Sequence, residues 1–218
     1  MLQKKTLMQI NVILLAAGKG ERYQKSTQLN LGCANIKQLA DIGGKPMIVE
    51  RISQLKPLLL DPFVHQIYAV LGANKNAIKS VIPKNIVIID SIEWTKGMGN
   101  TLAETVQSIQ AQSSHVLVAL ADQALLGSDH YQALVNASKK QPNKIIATLC
   151  GTRLIAPAIF PQKFFPLLTK LSGDKGATNL LQAHALLADA ITCNKALFDL
   201  NTHADAEQIR RQINRAYL

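Results

Sequence analysis

Ile10-Asn11-Val12-Ile13-Leu14-Leu15-Ala16-Ala17-Gly18-Lys19-Gly20-Glu21-Arg22 is an apolar run that ends in small residues and turns charged within a few positions. Residues 10–15 read as a β-strand and Ala16 to Gly20 as a tight turn leaving it. In α/β sheets, ligands bind in the crevice outside the carboxyl ends of the strands, and glycines there let backbone N–H groups close on phosphate oxygens. Working outward, Pro46 opens a helical stretch with Met47, Ile48, Ile52 and Leu55 on one side, closed by Pro57. Further strands read at 66–71, 86–89, 116–120 and 144–149. Helical stretches read at 76–81, at 101–110 with Leu102, Val106 and Ile109 on one face, and at 130–139. This alternation predicts one α/β domain over residues 1–218, with a mostly parallel sheet and helices on both faces. The last third reads as less regular, with Pro157, Pro161 and Pro166 close together. Near the end, Thr202-x-x-Asp205 has the form of a capping box before an amphipathic helix carrying Ile209, Ile213 and Tyr217.

Composition narrows the function classes. The 218 residues are 48% hydrophobic and 17% charged, enough apolar surface for a folded core. Lys plus Arg exceed Asp plus Glu by 24 to 14, a net +10 that suits anionic partners. With aromatics at 5% and a single Trp, the stacking platforms of nucleic-acid binders are scarce, and no nucleic-acid partner is expected. Cys33, Cys150 and Cys193 form no C-x-x-C pair and fit neither a disulfide framework nor a zinc site, which points to a cytoplasmic protein. Lys4 and Lys5 precede an apolar stretch, but Gln9 and Asn11 interrupt it. No run approaches the ~20 residues of a membrane span, so neither export nor a membrane partner is expected. His65, His115 and His184 have no metal-ligand spacing and read as structural. The polar stretch from Tyr23 to Asn35 is long for a connection and reads either as a lid or as a passive insertion.

Two common phosphate motifs fail. A dinucleotide fingerprint needs glycine at Tyr23, and Gly43-Gly44-Lys45 is followed by Pro46 without the earlier glycine of a P-loop. On the residues alone, Gly18-x-Gly20 is as much a tight turn as a phosphate site. Asp122 reads first as a strand-end residue capping the next helix.

Taken together, the motifs resemble the MobA-like nucleotidyltransferases, the family of the molybdenum-cofactor cytidylyl- and guanylyltransferases. LLAAGKGER (14–22), Lys37-Gln38-Leu39 and Gly43-Gly44-Lys45-Pro46 match its opening. Gly97-Met98-Gly99-Asn100-Thr101-Leu102 is similar to its G-M-x-x-S-L turn, and Ala121-Asp122-Gln123 to its A-D-Q-P. Ala156-Pro157-Ala158-Ile159-Phe160, Gly173-Asp174-Lys175-Gly176-Ala177 and Asp199-Leu200-Asn201-Thr202 follow in the family's order. The resemblance implies a Rossmann-like three-layer α/β/α fold and transfer of a nucleoside monophosphate to a phosphorylated acceptor, with pyrophosphate leaving. It assigns the nucleotide to Leu15, Ala16, Ala17, Gly18, Lys19, Gly20, Gly97 and Thr101. Arg22 and Lys37 take the neutralising, catalytic roles, with Lys25 as the other reading for the lysine. Mg²⁺ falls to Asp122 and Asn201, and the acceptor side to Ile155, Pro157 and Asp174.

Ala16-Ala17-Gly18, where guanine-using relatives more often have A-G-G, favours CTP, and the implied acceptor is molybdopterin, later passed to a molybdoenzyme. Other readings are transfer to another phosphorylated small molecule, or a degenerate cofactor-binding accessory protein. Ala124, Ile155, Thr178 and Asn201 depart from the family pattern, the middle two in the acceptor half. Ile155 replaces a glycine and Thr178 an arginine, which narrows the pocket and removes a bidentate anion contact.

Overall fold

The computed structural model describes residues 8–26 and 35–216. Cys33, most of the stretch from Tyr23 to Asn35, Lys4, Lys5 and Tyr217 lie outside them. Seven strands form one sheet: β1 (Ile10–Leu15), β2 (Val64–Leu71), β3 (Val87–Asp90), β4 (His115–Leu120), β5 (Ile145–Cys150), β6 (Arg153–Pro161) and β7 (Ala188–Thr192). Their order is β3-β2-β1-β4-β6-β5-β7. Every pairing is parallel except those of β6, which runs antiparallel to both β4 and β5.

The sheet divides two apolar layers, as the period of the strand requires. Along β1, Ile10, Val12 and Leu14 face one core and Ile13 and Leu15 the other. The first core is closed by α2 (Met47–Leu55), α3 (Lys75–Lys79), α5 (Ser128–Lys140) and α8 (His203–Ala216), the second by α4 (Met98–Ile109), α6 (Phe165–Leu168) and α7 (Ala177–Ala183). A five-residue helix, α1 (Glu21–Lys25), follows the turn after β1. Asn11, which interrupts the apolar run of β1, is fully buried and donates to the Gln112 carbonyl at 3.1 Å and to Ser113 Oγ at 2.7 Å, so the core takes it as a hydrogen-bonded residue.

The irregular last third is a finding against the sequence reading, because it holds β6 and β7. Proline removes a ladder donor, so three prolines argue against a strand. Here Pro157 sits where the β5–β6 register shifts, Pro161 ends β6, and Pro166 lies in the first turn of α6, all positions where the missing N–H costs little. The capping box forms as read: the Thr202 N–H donates to Asp205 Oδ2 at 2.7 Å, and the Asp205 N–H to Thr202 Oγ1 at 3.2 Å. His115 is buried between Ser114 Oγ at 2.9 Å and the Pro142 carbonyl at 2.8 Å, a structural setting.

Candidate active site

At the carboxyl edge of β2, β1 and β4 the sheet opens into a cleft of about 430 Å³. Its floor is the turn after β1. The Ala16 N–H donates to the Val70 carbonyl and the Ala17 carbonyl accepts from Ala73 N–H, both at 2.9 Å, so the turn is fastened to β2 and the residues that follow it. Gln38 fastens the other side, donating from Nε2 to the carbonyls of Ala16 at 2.9 Å and Gly18 at 2.6 Å. Gly20 has φ +71°, and a Cβ there would stand 2.8 Å from Lys37 Cβ. Glycine at this position lets the chain turn and lets Lys37 pass.

Lys37 Nζ meets Asp122 Oδ2 at 2.8 Å within the cleft, with only 13% and 24% of the two side chains exposed. Lys25 lies 80% exposed beside Glu21, so Lys37 is the lysine that reaches the site. Asp122 follows β4, and its own carbonyl accepts from the Leu200 N–H at 2.8 Å, while Gln123 bridges Asp199. That pairing brings the segment before α8 alongside the end of β4. Asp199 is exposed as a residue, yet protein crowded around its carboxyl pushes the pKa up to about 6, with the charge of Asp122 adding to the rise and those of Lys37 and Arg22 opposing it. Sequence reasoning passed over Asp199 for Asn201 two positions on, although both stand in the same motif. The Asn201 N–H donates to Asp205 Oδ2 at 2.9 Å as part of the helix cap.

Asp122 in the cleft and Asp199, outside its lining but near enough to feel the charge of Asp122, offer hard oxygen donors whose mutual repulsion a divalent cation would relieve. Among the described residues no group of three or more His, Cys, Asp or Glu is placed to hold a metal. A pair of carboxylates fits Mg²⁺ or Mn²⁺, which fill their remaining positions with water and phosphate oxygens.

The opposite wall carries Trp94, Thr95, Gly97, Met98 and Thr101. Trp94 lies against bare backbone: a Cβ on Gly72 would come within 2.4 Å of its Cγ and 2.8 Å of the Ala17 carbonyl oxygen. Gly97, at φ +109°, is the N-cap of α4, and a Cβ on it would lie 2.4 Å from the Gly173 carbonyl carbon. The Gly99 N–H donates to the Gly173 carbonyl at 2.8 Å, and the Gly173 N–H to Asn100 Oδ1 at 2.7 Å. The two glycine-rich turns therefore pack main chain to main chain, which hangs Asp174 over the cleft.

Leu15 to Gly20, Lys37, Gly97, Thr101, Asp122 and Asp174 thus line one cleft, and Arg22 reaches it through its charge on Asp199. Ile155 and Pro157 stand outside the lining, in β6 at the register shift against β5, where the Ala156 carbonyl accepts from Gln123 Nε2 at 2.7 Å. Arg51 was hidden in the apolar face of α2: buried, its Nη1 donates to the carbonyls of Gln123 at 3.0 Å and Leu126 at 2.5 Å, holding the turn after Asp122. Burial lowers its pKa, while Tyr131 and Glu50 oppose that.

Among solved structures, the chain superposes on Rv0371c from Mycobacterium tuberculosis H37Rv with a TM-score of 0.75 at 18% identity, covering 94% of this chain and 99% of that one. A manganese complex of Rv0371c gives 0.73 at 16% identity, with 93% and 98% covered. Molybdopterin-guanine dinucleotide biosynthesis protein A from Archaeoglobus fulgidus gives 0.65 at 14% identity, with 94% and 99% covered. In sequence the chain is 27% identical over 207 residues to the purine catabolism protein PucB of Bacillus subtilis (strain 168), spanning 93% of this chain and 96% of that protein. The model of the MobA-like NTP transferase domain matches residues 12–188, from within β1 to the first residue of β7, so the strands that build the cleft are those of the family, and the chain is a nucleotidyltransferase of that family.

Proposed function

We propose that this chain moves CMP from CTP onto the phosphate of molybdopterin or its metal-loaded form, releasing pyrophosphate. The observation that carries the reading is the meeting of Lys37 and Asp122 at 2.8 Å beside a glycine-containing turn with open amides. An acceptor phosphate is already an anion, so its oxygen attacks the α-phosphorus without a general base. What the protein must supply is in-line alignment and charge neutralisation.

The turn at Ala17 to Gly20 receives the phosphates, and Lys37 neutralises the charge that builds as the α–β bond breaks. Arg22 and Lys19 add positive field at the mouth. Asp122 and Asp199 would hold Mg²⁺, with Asn201 as a further oxygen donor. When bound, the cation supplies charge neutralisation on the phosphate oxygens. The manganese complex of Rv0371c supports divalent-metal use. Successive strands lie ~4.8 Å apart, so the sheet edge from β2 to β4 spans ~10 Å. A nucleotide lying across it has its phosphates toward Lys37 and the glycines at 18 and 20. Asp174, Ile155 and Pro157 are left to the acceptor. Ala16-Ala17-Gly18 is the ground for choosing CTP over GTP.

Calorimetry with CTP, GTP, UTP and ATP, with and without Mg²⁺ at physiological salt, tests this directly. Magnesium-enhanced binding selective for CTP is expected, together with loss of transfer to molybdopterin in Asp122→Ala. Preference for another nucleotide would reject the cytidylyl reading, and no nucleotide binding would reject the enzyme.

A further inference from the structure

Lys37 and Asp122, the charged residues that meet in the cleft, are each followed by a buried glutamine: Gln38 is 4% exposed and Gln123 2%. The two make the same arrangement. Gln38 donates from Nε2 to the Ala16 and Gly18 carbonyls, and Gln123 donates from Nε2 to the carbonyls of Ala156 at 2.7 Å and Ala196 at 3.1 Å. In both, Oε1 is buried without a protein hydrogen-bond partner among the described residues. A buried acceptor left unpaired is destabilising, and each glutamine carries that cost while its Nε2 holds two main-chain carbonyls in place. The question is what those held carbonyls position.

For Gln38 the consequence follows from peptide geometry. A trans peptide unit is planar, with its C=O and N–H pointing in opposite directions. Holding the Ala16 and Gly18 carbonyls on Gln38 turns the N–H groups of Ala17 and Lys19 to the other side of the turn. Among the described residues no protein acceptor takes either one. Main-chain N–H groups left open together on one side of a turn can take an anion. Gln123 acts on the other half of the cleft. Its two hydrogen bonds tie the residue after Asp122 to the start of β6 and to the turn Asn194–Leu197, two residues before Asp199. With the main-chain bridge between Gln123 and Asp199, this holds the backbone after Asp122 beside the backbone at Asp199.

We propose that Gln38 and Gln123 are positioning residues, Gln38 aiming the Ala17 and Lys19 amides at the nucleotide's phosphates and Gln123 setting the Asp122–Asp199 spacing for a divalent cation. The inference rests on the nucleotidyl-transfer reading. Gln38 lines the cleft with its amide turned onto main-chain carbonyls, and Gln123 stands outside the lining, so each acts through the backbone of its own half of the cleft.

The test separates the halves. Gln38→Met and Gln123→Met keep the volume and remove the donors. Binding of CTP and of inorganic pyrophosphate is measured without metal by calorimetry, and binding of Mn²⁺ alone by paramagnetic resonance. Gln38→Met is expected to weaken both anions about tenfold, two hydrogen bonds' orientation being lost, with Mn²⁺ affinity kept; Gln123→Met is expected to do the reverse. In Gln38→Glu, anion binding should recover relative to Gln38→Met as the pH falls and the new carboxyl regains a donor. Variants that bind like wild type, or that lose both ligands in equal measure, would overturn the proposal. Hydrogen exchange of the Ala16 and Ala73 N–H groups, which hold the turn to β2 and the residues after it, distinguishes its failure from that of the function. Faster exchange in Gln38→Met, in a protein that binds neither anion even as wild type, keeps the Gln38 clamp and rejects nucleotidyl transfer. Unchanged exchange rejects the clamp.

Discussion

Asp199 shows how burial and charge act on one side chain. Crowding by protein and the neighbouring Asp122 raise its pKa to about 6, against the pull of Lys37 and Arg22. Because the folded-state pKa lies above the unfolded value of ~3.9, the folded protein binds the proton more tightly. The stability tied to that proton is present below the unfolded pKa and is lost as the pH rises through about 6. Asp199→Asn should therefore have a higher melting temperature than wild type at pH 8, the gain shrinking toward zero as the pH falls to ~4. A flat difference across that range would show that the carboxyl is not strained in the fold. The same variant should lose transfer activity at every pH, as expected of a group kept for function at a cost in stability.

Elements meet at the site through glycine where side chains would keep them apart. The turns at Gly97–Gly99 and Gly173 meet main chain to main chain, with Asn100 Oδ1 accepting from the Gly173 N–H beside them. Gly97→Ala must accept both a left-handed φ and a Cβ 2.4 Å from the Gly173 carbonyl carbon. Its expected cost is about 2 kcal/mol or more in urea unfolding. Local release should accompany it, so trypsin should cut after Lys175 faster in Gly97→Ala than in wild type. Equal cleavage would mean that the docking of the two turns survives the added methyl. The Thr202–Asp205 box does a related task at the start of α8, since Asp205 accepts from both Asn201 and Thr202 and so orders the strand-like segment that carries Asp199.

Across the molecule, pH acts through groups far from the cleft. Burial lowers the pKa of His115, against the hydrogen bond to the Pro142 carbonyl, and burial also lowers that of His130. A histidine held neutral contributes stability that is present above the unfolded pKa of ~6.5 and lost as the pH falls through the folded value. The expected outcome is that wild type loses more stability between pH 7.5 and 5.5 than His115→Gln/His130→Gln does, measured by urea midpoints. Parallel pH slopes would contradict it. At 5% aromatics the chain is poor in the stacking platforms that single-strand binders use, so single-stranded DNA should not bind at physiological salt. Among the described residues no helix is long and apolar enough to cross a membrane.

Much of this was legible in the chain. The apolar run at Ile10–Leu15, the glycines after it and the ordered motifs specify a mostly parallel α/β sheet, because strand periodicity and turn chemistry are local properties. They also mark Lys37 and Asp122. Local pattern hid β6 and β7, since prolines at a register shift and at a strand end look like breaks until partner strands are known. It hid Arg51, which reads as one polar interruption on an apolar helix face. Asp199 was visible in its motif, but its importance depends on the approach of Asp122 from 77 residues earlier in the chain. Chain pattern carries the parallel part of the sheet, the turn after β1 and the chemical types at the site. Which charges interact across the cleft belongs to the fold, because electrostatic coupling and burial depend on distances that strand order, not chain order, sets.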